Sequence, residues 1–586
     1  MKKLLPAIAV AVLALVLFWV FSQRGIDRDH PAAHVPADAP YVLVNHGGIP
    51  ERALAAWERQ MEASAAGYGM QLDALRAMAA DDAELQALMP LLDAIQAEFR
   101  GKPLRQALDD AGLGLDTPYA LYGHGLAPVL RVQLQDRERF QALLDRLEAA
   151  SPEAWTQATV DDQAYWQFGP GELPVQLVMA VVGDHWVASL APATADPAVL
   201  RGLLGLQRPE RSLLDAGTLA GLERELGYGA YLTGYVDSRL LAMALLDHDG
   251  PLQAAVLGHL GQPQPAVAPV CREELLGLAE AWPRTSFGLT RADARVWESR
   301  AVLEARADIA ESLATLAGPM AGLGATGDGT LVDVGIALQL GALPGVVNRH
   351  ADAVVRSPWQ CEWFAGLNTL FASLREQAGN PAVAMAGPMA YSLLVGVDDI
   401  DLSAGAGQPD LSGIAILGTG NPGSLAAMAR GFVPGLGGLT LQPDGEVHRL
   451  DMAEAGLEEP LHVAMGPEAL GVAIGAHHAS LSGAVTRVRE DAPVLHMAAS
   501  GRFYGLIADA AEVQMDSLAA MMEAQGEEID DQTRAELEAM REEFTASQAQ
   551  MREMMAAMEA VIQRVRIDLR LTARGIELEQ RIDIAP

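Results

Sequence analysis

The chain runs twice through the same order of strand and helix signals, and this repetition limits the folds open to it more than any single motif does. The first pass opens with "YVLVNHGGIPERALAAW" and the second with "GIALQLGALPGVVNRHA". Each reads as a strand, a Gly-x-hydrophobic-Pro turn (Gly47 to Pro50, Gly341 to Pro344) and a helix. Strand-rich blocks follow, from "PYALYGHGLAPVLRVQL" and from "AYSLLVGVDDIDLSAG". A strand, a tight turn and a helix come next, in "VLRVQLQDRERFQALLDRL" and in "SGIAILGTGNPGSLAAMARGF". Paired strands succeed them, with Pro174 matching Pro460 and Met179 matching Met465. Each pass closes on a helix and a hairpin.

In the last hairpin Val565, Ile567, Leu569 and Leu571, then Ile576, Leu578, Ile582 and Ile584, recur with period 2. That spacing predicts an antiparallel ladder with one buried and one wet face. Short strands grouped in hairpins, with helices between the groups, predict an α+β fold. The expectation is two similar domains from an internal duplication, residues 40–310 and 326–586, each an antiparallel sheet packed by helices. A seam at 311–325, read from the Gly-rich "LAGPMAGLGATGDGT" that begins at Leu316, would join them. A length of 586 residues suits two such domains.

The N-terminus predicts one transmembrane helix. Lys2 and Lys3 precede an uncharged apolar stretch from Leu4 to Phe21, which as a helix rises about 27 Å, enough to span a bilayer core. The lysines favour a cytoplasmic N-terminus. Val20 and Ser22, beside bulky Trp19 and Phe21, fit a signal-peptidase site poorly. Residues 1–21 therefore read as an uncleaved anchor in preference to a cleaved signal peptide, with 22–39 as a tether. Either way the body is exported, and the uncleaved anchor would place the protein at the inner membrane with its body in the periplasm.

A net charge of −35 argues against nucleic acid and against anionic lipid surfaces as partners. Lys2, Lys3 and Lys102 are the only lysines, and no GxxxxGK[ST] phosphate loop occurs. Cys271 and Cys361 are the only cysteines. In an exported chain they read as one disulfide, with two buried free thiols as the alternative.

"PADAPYVLVN" at 36–45 introduces the first strand, and together with the N-terminal anchor it resembles the "PADTPYV"-like start of membrane-anchored envelope proteins of Gram-negative bacteria. The resemblance implies an envelope location and carries over no catalytic residue.

Three motifs invite chemistry. Gly418, Gly420 and Gly423 stand at GxGxxG spacing after an apolar run. Yet the matching turn of the first pass, "LQDRERF", makes the same junction without glycine, with Asp136 placed to cap its helix. Asn421 or Ser424, with Pro422, would cap the second. A dinucleotide loop also needs a parallel βαβ unit, which the hairpin-like "GLTLQPDGEVHRLDM" does not supply. No nucleotide and no cofactor is expected. Asp399, Asp401, Ser403 and Asp410 approach calcium-loop spacing, but Ala404 sits at the glycine position and Asp410 at the bidentate glutamate. A polar loop between strands is the better reading. Asp247-His248-Asp249 and His477-His478 lack a third ligand at metal spacing, so no metal is assigned.

Residues 511–563 are the most distinctive. Leu537, Met540, Phe544, Met551, Met554, Met555, Met558 and Ile562 follow a helical period on a segment otherwise rich in Glu, Gln and Arg. They predict a Met-rich helical hairpin with an apolar face that either packs on its own sheet or receives apolar clients, since methionine adapts its shape. The functional expectation is a non-catalytic binding or scaffolding protein of the cell envelope acting on protein or lipid clients. The alternative is an envelope hydrolase or metal-dependent enzyme with a site near His248 or His477/His478.

Overall fold

The computed structural model describes residues 29–63, 76, 83–152, 155–168, 174–229, 231–246, 250–252, 254–255, 267–327, 329–380, 390–401, 410–433, 435–452, 459–506 and 552–585. The expected anchor, 1–21, lies outside them. Among the described residues no helix is long and apolar enough to cross a membrane. Packing divides the chain into two units, Met1–Gly48 with Ala87–Pro265 and Ile49–Gln86 with Ala266–Pro586.

The first unit holds β1 (Tyr41–Asn45), β2 (Tyr119–His124), β3 (Ala127–Gln133), β4 (Trp155–Val160), β5 (Gln163–Phe168), β6 (Val175–Val182), β7 (His185–Pro192) and β8 (Leu232–Asp237). They pair in the order β8-β1-β2-β3-β7-β6-β5-β4, antiparallel throughout. Turn chemistry sets several of these hairpins. Gly183 takes φ +60° between β6 and β7, and Asp161 and Asp162 take φ +48° and +62° between β4 and β5. Two successive left-handed residues match a type I′ hairpin turn, a conformation that a residue with a Cβ adopts at a cost. The helix Arg137–Ala150 is capped by Asp136, which accepts from Glu138 N at 3.0 Å and Arg139 N at 3.1 Å. It buries Phe140, Leu144 and Leu147 against Trp155, Trp166, Phe168 and Met179 of the sheet. Residues 31–39, read as part of a tether, are instead docked on this unit. Ala32 and Val35 are fully buried, and Leu213 N donates to Val35 O at 2.8 Å.

The second unit holds β9 (Arg284–Ala292), β10 (Val296–Glu304), β11 (Met320–Ala321), β12 (Val332–Ala337), β13 (Ser392–Asp401), β14 (Asp410–Gly418), β15 (Val447–Leu450), β16 (Leu461–Met465), β17 (Ala469–Ile474), β18 (Val488–Arg489), β19 (Leu495–Ser500), β20 (Ile562–Thr572) and β21 (Gly575–Ile584). Its sheet runs β9-β10-β21-β20-β19-β12-β13-β14-β17-β16-β15, again antiparallel. β11 and β18 form a separate two-stranded ribbon. The helix His478–Thr486 packs Leu481, Ala484 and Val485 into a core with Met320, Leu394, Ile414 and Ile416. Helix and antiparallel sheet are thus mixed in both units, as an α+β fold requires.

Two boundaries differ from those read in the sequence. The hairpin β9–β10, placed at the end of a first domain 40–310, joins the second sheet because β10 pairs with β21 from Val296↔Asp583 to Glu304↔Gly575. Hydrogen bonding to a strand nearly three hundred positions away is invisible to local pattern. The seam 311–325 also belongs to the second unit. Met320 and Ala321 within it are fully buried, so it forms part of a wall and not an exposed linker.

Cys271 and Cys361 are disulfide-bonded, a link between the helix Pro269–Ala281 and the turn joining the helices Leu343–Arg356 and Ala365–Ala378, across 90 residues of sequence. Glu274, one turn beyond Cys271, reinforces the clamp by accepting from Gln360 N at 2.7 Å and Cys361 N at 3.0 Å.

Candidate functional site

The central strands of the second sheet carry apolar residues on both faces. In β12, β13 and β19, buried and exposed positions alternate, as pleating requires. One face, through Gly335, Ala337, Leu394 and Ala498, lies against the core. The other carries Ile336 (45% exposed), Leu393 (45%), Val395 (38%), Met497 (42%), Val472 (38%) and Leu578 (39%). These side chains are neighbours by register. Ile336 stands opposite Leu393, Val334 opposite both Val395 and Met497, and Ala415 opposite both Val395 and Val472. The result is a contiguous apolar surface spanning β17 to β21. Sheets with apolar residues on both faces are ordinarily covered on both, and a contiguous exposed patch marks an interaction surface.

The face expected to be wet holds a different feature. On β20 the polar positions 564, 566, 568 and 570 share one side, and Arg564 is only 7% exposed there. Across the ladder His496 stands opposite Asp568, and Asp333 lies one strand further on. His496 Nδ1 is 2.6 Å from Asp568 Oδ1 and its Nε2 is 2.8 Å from Asp333 Oδ1. Arg564 donates to the other oxygen of Asp333 and, at 3.0 Å, to Thr330 O. With a carboxylate at each ring nitrogen, the ring must be an imidazolium with both N–H groups present. Burial opposes that charge, but the hydrogen bonds to Asp333 and Asp568 outweigh it and raise the pKa to about 9. Neither nitrogen has a lone pair to offer a metal. These residues line a cleft of about 360 Å³ together with Arg489, Arg566 and Arg570. Meanwhile the apolar positions of β20, Val565 to Leu571, are only half-buried, while the polar side runs from buried Arg564 to exposed Arg566, so neither face is simply the buried or the wet one.

The first unit has its own buried cation. Arg131 is 1% exposed, with Tyr122, His34 and His185 nearby. Burial, followed by the charge of Arg131, lowers His185 to about 4 and His34 to about 3, so both rings are neutral at physiological pH.

The residues singled out from the sequence fall as follows. His248 lies outside the described residues, as do Leu537, Met540, Phe544 and Met551. Met554, Met555 and Met558 are half-buried on a helical stretch, 552–561, that leads directly into β20. His477 Nε2 lies 2.9 Å from Asp398 Oδ2 but outside the angular range of a directed hydrogen bond. Its Nδ1 is 3.3 Å from Ser480 Oγ, but that hydroxyl donates to His477 O at 3.1 Å. A serine whose proton is committed to a helix carbonyl is not poised as a nucleophile. His478 turns the other way and stacks on His462 at 4.8 Å. Among the described residues no group of three or more His, Cys, Asp or Glu could hold a metal.

The GxGxxG turn joins β14 to the helix Pro422–Ala429, capped by Asn421, which accepts from Ser424 N at 3.1 Å. β14 has antiparallel neighbours on both sides, so the loop opens no parallel βαβ unit. Only Gly418 is sterically required, since a Cβ there would run into Ser392 Oγ and the Tyr391 ring, whereas Gly420 faces open space. Asp399 and Asp401 lie in β13 and Asp410 in β14, with Asp401 paired opposite Asp410.

The ionic cluster was not legible as a site, because Arg564, Asp568 and Arg570 read as the solvated face of a hairpin. A faint signal existed in the density of charge at alternate positions of "RVRIDLRL".

No protein-family model matches the chain, and no curated protein does. A crystal structure of the protein TP0453 (crystal form I) is similar over 48% of this chain and 80% of its own, at 12% identity and a TM-score of 0.21. A likeness that slight carries no argument about fold or function.

Proposed function

We propose that this is a non-catalytic binding or scaffolding protein of the bacterial envelope, held at the inner membrane by residues 1–21 with its body in the periplasm. Its clients are apolar segments of protein or lipid, taken on the open face of the second-unit sheet. The observation that carries this reading is the registered apolar surface of Ile336, Leu393, Val395, Val472, Met497 and Leu578. Covering the exposed part of each side chain contributes roughly 0.5–1 kcal/mol. Six such gains, set against the entropy lost on association, give weak and reversible holding, which suits a scaffold better than a storage site. The disulfide is in keeping with an oxidising compartment.

Internal duplication belongs to the same reading. The order β8-β1-β2-β3-β7-β6-β5 in the first unit parallels β19-β12-β13-β14-β17-β16-β15 in the second, element for element in the sequence of pairing.

The test uses the uncharged fluorescent apolar probe N-phenyl-1-naphthylamine and an aggregation assay with a reduced, unfolded client. Val395→Asp with Met497→Asp should abolish both probe binding and client protection while circular dichroism is unchanged. Undiminished binding by the folded double variant refutes the reading. A periplasm-dependent reporter fused after residue 586 checks the orientation.

A further inference from the structure

The cleft on the opposite side of the second-unit sheet has a charge balance unlike that of the chain. Arg489, Arg564, Arg566, Arg570 and the charged His496 line it against only two carboxylates, Asp333 and Asp568. The whole protein, by contrast, carries a net charge of −35. A positive concavity on so acidic a chain is not a by-product of composition. Low-dielectric walls focus its field toward the mouth.

The bonding within the cleft shows which cations are committed and which are not. Asp333 is shared between Arg564 and His496, and Asp568 is taken by His496. Arg570 is held from outside the cleft by Asp491 O at 2.7 Å and Glu579 at 3.5 Å, and Arg489 by Asp491 at 3.3 Å. Arg566 differs. It stands directly opposite Arg581 across the β20–β21 ladder, a like-charged pairing that destabilises a sheet. Arg581 is neutralised by Glu298 and Asp583, while Arg566 has no hydrogen bond or ion pair among the described residues. The rim is completed by Leu323, Gly324, Thr326 and Gly327, with Gly324 and Gly327 in the left-handed region at φ +82° and +77°. A backbone without Cβ atoms at these points leaves the mouth open to a group the size of a phosphate.

We propose that this cleft binds the phosphate group of a phosphomonoester, with Arg566 and Arg489 gripping it at the mouth above the buried floor of Arg564 and His496. Guanidinium groups suit this ligand because their paired N–H donors match two phosphate oxygens at once. Arg566 is the charge left over once Arg564 and His496 are matched by Asp333 and Asp568, Arg570 by Glu579 and Arg489 by Asp491, and the second charge of a phosphate dianion draws exposed Arg489 away from Asp491. The phosphate could belong to a soluble ester or to a lipid headgroup, and the experiment separates the two. This site lies on the other face of the sheet from the apolar surface and stands or falls independently of it.

Isothermal titration of the full-length, detergent-solubilised protein at low ionic strength would use glycerol 3-phosphate and the water-soluble lipid dihexanoyl phosphatidic acid. Binding should weaken by about tenfold in Arg566→Ala and further in the double variant with Arg489→Ala. Both side chains are outside the core, so the fold survives their loss. Arg208→Ala, in the first unit, should leave binding unchanged. Equal affinity for the two ligands assigns a soluble ester, and markedly tighter binding of the phosphatidic acid assigns a lipid headgroup. The proposal is overturned by no measurable binding of either ligand, by undiminished binding in the double variant, or by equal weakening in Arg208→Ala.

Discussion

Raising the pH from 7 to 9 should destabilise the second unit through one side chain. His496 has an ordinary pKa of 6.5 when the chain is unfolded and about 9 in the fold, where burial is outweighed by Asp333 and Asp568. A group whose pKa rises on folding stabilises the protein most below its unfolded value, and that contribution is lost as the pH climbs through the folded value. The same relation gives a loss of about 2 kcal/mol between pH 7 and 9, with little left to lose above pH 10. The groups facing the ring are Asp333, Asp568 and, through Asp333, Arg564. Urea unfolding of the native protein and of His496→Gln at pH 6, 7, 8 and 9 isolates the effect, because other titrating groups cancel in the difference. The gap between the two proteins should shrink by about 2 kcal/mol from pH 7 to 9. Imidazole resonances assigned by that variant should titrate near 9. A gap that does not change with pH, or a ring that titrates near 6.5, refutes the doubly bonded imidazolium.

Four further outcomes follow from the geometry. In the first unit the sign is opposite. His185, lowered to about 4, binds its proton more readily when unfolded, so its contribution is present above pH 6.5 and falls by about 2 kcal/mol by pH 5, a loss that His185→Gln should lack in acid unfolding curves. Cys271→Ser with Cys361→Ser frees a loop of 90 residues and should lower stability by about 4 to 5 kcal/mol on the chain-entropy account, measured by urea unfolding of the oxidised protein against the variant. Gly420→Ala should be neutral in thermal unfolding and Gly418→Ala clearly destabilising, whereas equal effects would return the GxGxxG glycines to a shared role. Asp162→Gly should stabilise the β4–β5 hairpin by about 1 kcal/mol, visible as a raised melting temperature, since glycine carries no penalty at φ +62°.

Local signals in the sequence located the hairpins well. The period of 2 in 565–584 and the caps Asp136 and Asn421 each act over a few residues, and each has its counterpart in the fold. The cysteine pair was legible because only one pairing exists. The assignment of faces was not legible. Alternation states that two faces differ, but on β20 the charged side carries buried Arg564 at one end and exposed Arg566 next to it, and the apolar side is half open. Which side is covered depends on partners brought from positions 333 and 496, and periodicity holds no information about them. The same limit explains the boundaries, for β10 finds its partner in β21 through main-chain hydrogen bonds that any pair of extended segments can make.

That β10–β21 ladder also sets a timetable. β9–β10 is synthesised, and on the proposed topology exported, well before β20 and β21 emerge, and until then the long edge of β10 has nothing to pair with. Nine register positions from Val296 to Glu304 stay unsatisfied through the passage of roughly half the chain, the condition in which strands find wrong partners. Glu298 and Arg300, which later meet Arg581 and Glu579, place charges of both signs along that waiting edge. The same side chains that finish the ladder would thus act as gatekeepers during biogenesis, discouraging flat edge-to-edge association while the unit remains incomplete.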